Sequence, residues 1–142
     1  NENYLSYVAK MDEDEILPGV QKVIDYLIEN NVPFALGSAS KNARNILKKI
    51  NLLEKFDAIV DGNDVSKAKP DPEVFLIAAG KINIKPENSI VFEDSVAGVQ
   101  AANNANMMSI GIGEKEILGE ADYVFNDFTE IDIDFIKKLL SN

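Results

Sequence analysis

The residues able to do chemistry here come in short runs of hydroxyl, lysine and carboxylate side chains, each standing behind an apolar segment. Ser38-Ala39-Ser40-Lys41-Asn42 puts small hydroxyl residues at the start of a helical pattern. Free backbone N–H groups and the helix dipole favour an anion there, and Lys41 adds a formal positive charge. Lys67-Ala68-Lys69-Pro70-Asp71-Pro72 holds a lysine just before a rigid proline turn, which lets its ammonium be aimed as a compact point charge. Phe92-Glu93-Asp94-Ser95 sets two adjacent carboxylates behind a buried strand. Like-charge repulsion and desolvation disfavour that pair, and a hard, oxygen-seeking cation such as Mg²⁺ relieves both. Singly, each run also fits a bland structural role, as a serine or aspartate cap or a solvated turn lysine. In combination they describe a site for a phosphate group and Mg²⁺.

The elements that must position these runs alternate between two periods. Val32–Gly37, Ala58–Val60, Ser89–Phe92, Met108–Ile112 and Tyr123–Phe125 read as short buried strands. Between them, Val20, Val23, Ile24, Leu27 and Ile28 mark one helical stripe, stopped by Asn30-Asn31. Ala43, Ile46, Leu47 and Ile50 mark a second, and Val74, Phe75, Ala78 and Ile82 a third. Ser95 caps a predicted helix running to Ala105, and Ile133–Leu140 reads as the last one. Strands alternating with helices predict an α/β fold with a parallel sheet, and in such sheets ligands bind beyond the carboxyl ends of the strands. All three chemical runs fall at such ends.

Composition narrows the chemistry further. Histidine and cysteine are both absent from the 142 residues, which removes imidazole bases, Ser-His triads, thiolates and disulfides. Carboxylates, lysines and hydroxyls must do the work. The formal net charge of −10 argues against nucleic acid or an anionic membrane as partner. Hydrophobic residues make up 46% and charged residues 27%, as expected of one soluble domain, and no apolar run approaches the roughly 18 residues of a membrane span. No signal peptide is readable, and the expected location is cytoplasmic.

Taken together, these motifs resemble the haloacid dehalogenase superfamily, a Rossmann-like fold whose motifs lie on successive strand ends. The resemblance runs from about Ile16 to the C-terminus. It implies that Ser38 contacts the transferred phosphoryl group, that Lys69 neutralises nucleophile and phosphoryl, and that Glu93 and Asp94 hold Mg²⁺. Gly37-Ser38-Ala39-Ser40-Lys41-Asn42 and Glu93-Asp94-Ser95-Val96-Ala97-Gly98-Val99-Gln100-Ala101-Ala102 are similar to the β-phosphoglucomutase sub-family. There the Ser40-Lys41-Asn42 positions hold the substrate's other phosphate, with Ala39 in the same loop. The implied activity is conversion of β-glucose 1-phosphate to glucose 6-phosphate through an aspartyl-phosphate. A sugar-phosphate phosphatase and a non-catalytic phosphate-binding module are the alternatives.

One part of the family pattern is missing. The family begins with a strand ending in Asp-x-Asp, whose first Asp is the nucleophile, followed by a helical cap. Asp12-Glu13-Asp14 follows no predicted strand, Asp132-Ile133-Asp134 approaches a helix, and in Asp61-Gly62-Asn63 the Asn cannot ionise. Tyr4, Leu5, Val8 and Met11 form an amphipathic stripe read as the end of a cap helix. The expectation is therefore residues 1–15 as a cap remnant and linker, and 16–142 as a core lacking its first central strand. Such a chain is expected to be inactive alone, with an open gap that closes, self-associates, or is completed by a further segment.

Overall fold

A computed structural model of the protein describes residues 4–8, 19–38, 41, 43–49 and 51–141. Its centre is a six-stranded, wholly parallel sheet. The strands are β1 (Tyr4–Val8), β2 (Phe34–Gly37), β3 (Ala58–Val60), β4 (Ser89–Glu93), β5 (Met108–Ile112) and β6 (Tyr123–Phe125), in the order β3-β2-β1-β4-β5-β6. The helices are α1 (Val20–Glu29), α2 (Ala43–Lys49), α3 (Glu73–Lys81), α4 (Val96–Asn104), α5 (Lys115–Leu118) and α6 (Ile133–Leu140). The α/β class, the five strands from β2 onward and the five longer helices match the periodicity. The four-residue α5 is too short to leave a stripe in the sequence.

The expected central gap is filled. Tyr4–Val8 is a strand, not the tail of a helix, and it pairs with β2 on one side and β4 on the other. Two physical reasons favour this outcome. Tyr4, Leu5, Tyr7 and Val8 are aromatic or bulky aliphatic residues whose short run suits a pleated strand as well as a helical stripe. A strand in that slot also satisfies the facing backbone groups of β2 and β4, which a gap would leave unpaired. Residues 9–15 of the expected linker, with Asp12-Glu13-Asp14 and Met11, lie outside the described residues.

The core lies on both faces of the sheet, as both-sided coverage of a parallel sheet requires. On one face, Phe34, Leu36, Ile90, Phe92 and Ile110 pack with Val23, Ile24 and Leu27 of α1, Leu47 of α2 and Ile136 of α6. On the other, Ala35, Val60 and Val91 pack with Val74, Phe75 and Ala78 of α3 and Ala101 and Ala102 of α4. The strand alternation is visible in Phe34, Ala35 and Leu36, which divide between the two clusters. Helix ends follow local chemistry. Asn31 adopts a left-handed conformation (φ 55°) just beyond α1, and Ser95 caps α4 by accepting the Gly98 N–H. Asp132 caps α6 by accepting the Asp134 N–H, which accounts for that Asp-x-Asp as a helix start.

The strand order reverses direction between β1 and β4: β2 and β3 extend one way from it, β5 and β6 the other. That reversal is where an open α/β sheet leaves a crevice beyond its strand ends. β4 delivers Glu93 to that crevice, and Val8 is its register partner on β1.

Candidate active site

At the end of β4, burial of Glu93 is nearly complete, with 1% of the residue exposed. An isolated carboxylate there would be expensive, so its oxygens find partners. Oε2 accepts from Lys69 Nζ at 2.9 Å. Oε1 accepts from the backbone N–H groups of Asp94 (3.0 Å) and Ser95 (3.2 Å) and from the Ser95 hydroxyl (3.1 Å). Burial pushes the Glu93 carboxyl up to about 7, against the opposing pull of the Lys69 ammonium. Asp94, the next residue, is only half-buried.

Lys69 reaches this place from the loop behind β3. Its side chain is 9% exposed, with Nζ 5.1 Å from the centre of the Phe75 ring. The loop around it is tied on both sides. Pro70 O accepts from Asn104 Nδ2 at 3.1 Å, anchoring the turn to the end of α4. Glu73 accepts the backbone N–H groups of Ser66 (2.8 Å) and Lys67 (2.7 Å). Asp71 accepts the Glu73 N–H at 3.0 Å, closing the turn that starts α3. The lysine is thus aimed by its backbone rather than left to search from the surface.

Ser38 continues directly from β2, is 4% exposed, and donates its backbone N–H to Val60 O at 2.8 Å. β2 and β4 flank β1, so Ser38 and Glu93 stand at the same edge of the sheet with their strands roughly 10 Å apart, two inter-strand spacings. Lys41 is exposed in the turn that follows. Ala39, Ser40 and Asn42 lie outside the described residues.

Two features escaped the sequence reading. Arg44 in α2 binds Asp61 and donates to Ile59 O at 2.9 Å and to Asp64 at 3.5 Å, clamping the start of α2 to the end of β3. Asp61 is 3% exposed and also accepts the Asn63 N–H at 2.8 Å, so the Asp61-Gly62-Asn63 run is spent on this turn. The second feature is Gly98: a Cβ there would lie 1.9 Å from Glu93 Cδ. The residue type was in plain sight; its reason appears only once the Glu93 side chain has a place.

Hard oxygen donors and a fixed ammonium at one rim suit a phosphate and a hydrated divalent ion. Among the described residues no three acids come together as a metal cage; Glu93 is buried and Asp94 half-buried at the end of β4.

The profile of haloacid dehalogenase-like hydrolases matches residues 1–106. The chain belongs to that family. It is 31% identical over 136 residues to a β-phosphoglucomutase of Bacillus subtilis (strain 168), covering 96% of this chain and 60% of that protein. It is 32% identical to the validoxylamine A 7'-phosphate phosphatase of Streptomyces hygroscopicus subsp. limoneus, covering 80% of this chain and 55% of that one. The crystal structure of a β-phosphoglucomutase from Clostridium difficile superposes with a TM-score of 0.85 at 36% identity, covering 93% of this chain and 59% of that one. This chain therefore spans about 60% of the length of the β-phosphoglucomutases it matches.

Proposed function

We propose that this chain is the catalytic-core part of a Mg²⁺-dependent phosphoryl-transfer enzyme acting on a phosphorylated sugar, and specifically of a β-phosphoglucomutase. The observation that carries the reading is the Lys69–Glu93 contact of 2.9 Å, which joins the β3 loop to the acidic end of β4 at the rim where Ser38 also ends its strand. In this reading Ser38 and its loop hold the phosphoryl oxygens, and Lys69 offsets charge as phosphate and an attacking carboxylate converge. Asp94 would hold Mg²⁺, backed by Glu93; when bound, the ion neutralises phosphoryl charge and orients its oxygens. The Ser40-Lys41-Asn42 run supplies a grip for a second phosphate, which a mutase handling a bisphosphate needs and a monophosphatase does not.

β1 ends at Val8, and none of its five residues carries a carboxylate to accept a phosphoryl group. The 142 residues alone are accordingly expected to give no turnover, the nucleophile being supplied by additional polypeptide. Product analysis tests this with β-glucose 1-phosphate, Mg²⁺ and glucose 1,6-bisphosphate. A longer polypeptide carrying an Asp-x-Asp strand should yield glucose 6-phosphate, and the 142 residues alone neither product. Free phosphate without glucose 6-phosphate would favour the sugar-phosphate phosphatase reading, which the likeness to the Streptomyces phosphatase supports.

A further inference from the structure

We propose that Arg44 is a positioning residue for Ser38 and Lys41, acting through Asp61 to hold the start of α2 against the end of β3; this rests on the phosphoryl-transfer reading above. Two anchors frame the connection from β2 into α2. On the strand side, the Ser38 N–H donates to Val60 O at 2.8 Å. On the helix side, Arg44, the second residue of α2, donates to Ile59 O at 2.9 Å and binds the Asp61 carboxylate. Both anchors land on consecutive residues, 59–61, at the end of β3. Lys41 stands between them and is exposed.

The chemistry of this clamp suits aiming better than holding. Asp61 is 3% exposed, so its charge is costly to bury, while the Arg44 side chain is 45% exposed and screened by water. Such a pair contributes modestly to stability. A guanidinium fork, however, fixes direction: one nitrogen serves the Asp61 carboxylate and the other the Ile59 carbonyl, which a lysine cannot copy. The turn that seats Asp61 is closed without Arg44. Asp61 accepts the Asn63 N–H at 2.8 Å, and its own N–H donates to Asp64 at 2.9 Å. What the fork locates is therefore the helix start. In a chain of net charge −10, a buried carboxylate on the strand next to an anion site is also electrostatically adverse. Its place there is explained by the arginine it holds.

The test measures binding of inorganic phosphate, with Mg²⁺ present, at the Ser38 and Lys41 amides of the ¹⁵N-labelled 142-residue chain. Arg44→Met and Asp61→Asn should each weaken phosphate binding by about tenfold, the scale on which ordering a loop at binding lowers affinity. By charge alone the two variants act in opposite directions. An Arg44 that gripped phosphate itself would be released by Asp61→Asn, and binding would tighten. Unchanged or tighter binding in Asp61→Asn overturns the proposal. Asp64→Asn keeps an acceptor for the Asp61 N–H and should change affinity less than about twofold. Should Asp61→Asn not fold, Arg44→Lys replaces it: the charge stays and the fork goes, so binding as tight as in the parent chain overturns the proposal. Hydrogen exchange at the Ser38 amide is the second readout, and its protection should fall in Arg44→Met. A parent chain whose Ser38 and Lys41 amides ignore phosphate contradicts the phosphoryl-transfer reading instead. Ser38 exchange then decides the positioning role, and unchanged protection ends it.

Discussion

Behind β4 the Glu93 carboxylate is buried with both oxygens engaged, whereas behind β2 the start of α2 is held by a half-exposed clamp to the next strand. Glu93 is packed under α4 with every oxygen engaged, and the contacts that seat it come from Asp94, Ser95 and Gly98 within five residues, plus Lys69. At β2, Ser38 is fixed by its N–H to Val60, Lys41 stands exposed, and the start of α2 is held by the Arg44–Asp61 clamp to the next strand. The difference teaches where rigidity is placed. The charged centre, the Lys69–Glu93 pair, is pre-organised by close packing. On the β2 side Lys41 stands exposed, and the start of α2 is anchored to the next strand.

The contrast breaks most strongly at Gly98. Gly98→Ala forces Glu93 out of its seat and unpairs the buried Lys69, so the urea-unfolding free energy should fall by about 4 kcal/mol. Gly80→Ala, in α3 with nothing within 4 Å of the added Cβ, should leave stability unchanged or raise it by up to about 1 kcal/mol. Equal effects from the two would refute the packing account. On the β2 side, Arg44→Met removes a clamp whose cation is 45% exposed, so the loss should be smaller, about 1 to 2 kcal/mol. A loss as large as that of Gly98→Ala would show that the two rims are equally rigid.

Titration sharpens the same comparison. The folded Glu93 carboxyl titrates at about 7, above its ordinary value of 4.5, because burial disfavours its charge. Between those values the folded chain holds a proton that the unfolded chain has released. Stability from this group is therefore full below pH 4.5 and lost as pH rises toward 7, by roughly 3 kcal/mol. Stability measured across that window should slope downward in the parent chain, and Glu93→Gln should flatten the slope. A slope surviving in Glu93→Gln would assign the proton elsewhere.

What the sequence revealed follows from how local each signal is. Ser38, Glu93 and Asp94 were readable as strand-end residues because they close or follow an apolar run of readable period, and Lys69 as the residue before the proline turn that starts α3. The Arg44–Asp61 clamp joins residues 17 apart on different elements, and no periodicity encodes it. Gly98 lay in a recognisable run, yet its necessity depends on the path of the Glu93 side chain. Tyr4–Val8 was misread because five apolar-rich residues satisfy a helical stripe and a strand alike. Its pairing with β2 and β4 is a property of the whole sheet.

The central claim is that Ser38, Lys69 and Asp94 form one anion-and-cation site at the rim around β1. Titrating the ¹⁵N-labelled chain with inorganic phosphate in the presence of Mg²⁺ tests it most directly. The account predicts amide shifts that saturate together at Ser38, Lys41, Lys69 and Asp94, with α6 silent. Shifts scattered over α6 and the surface lysines, or separate saturation at the β2 and β4 ends, would contradict it.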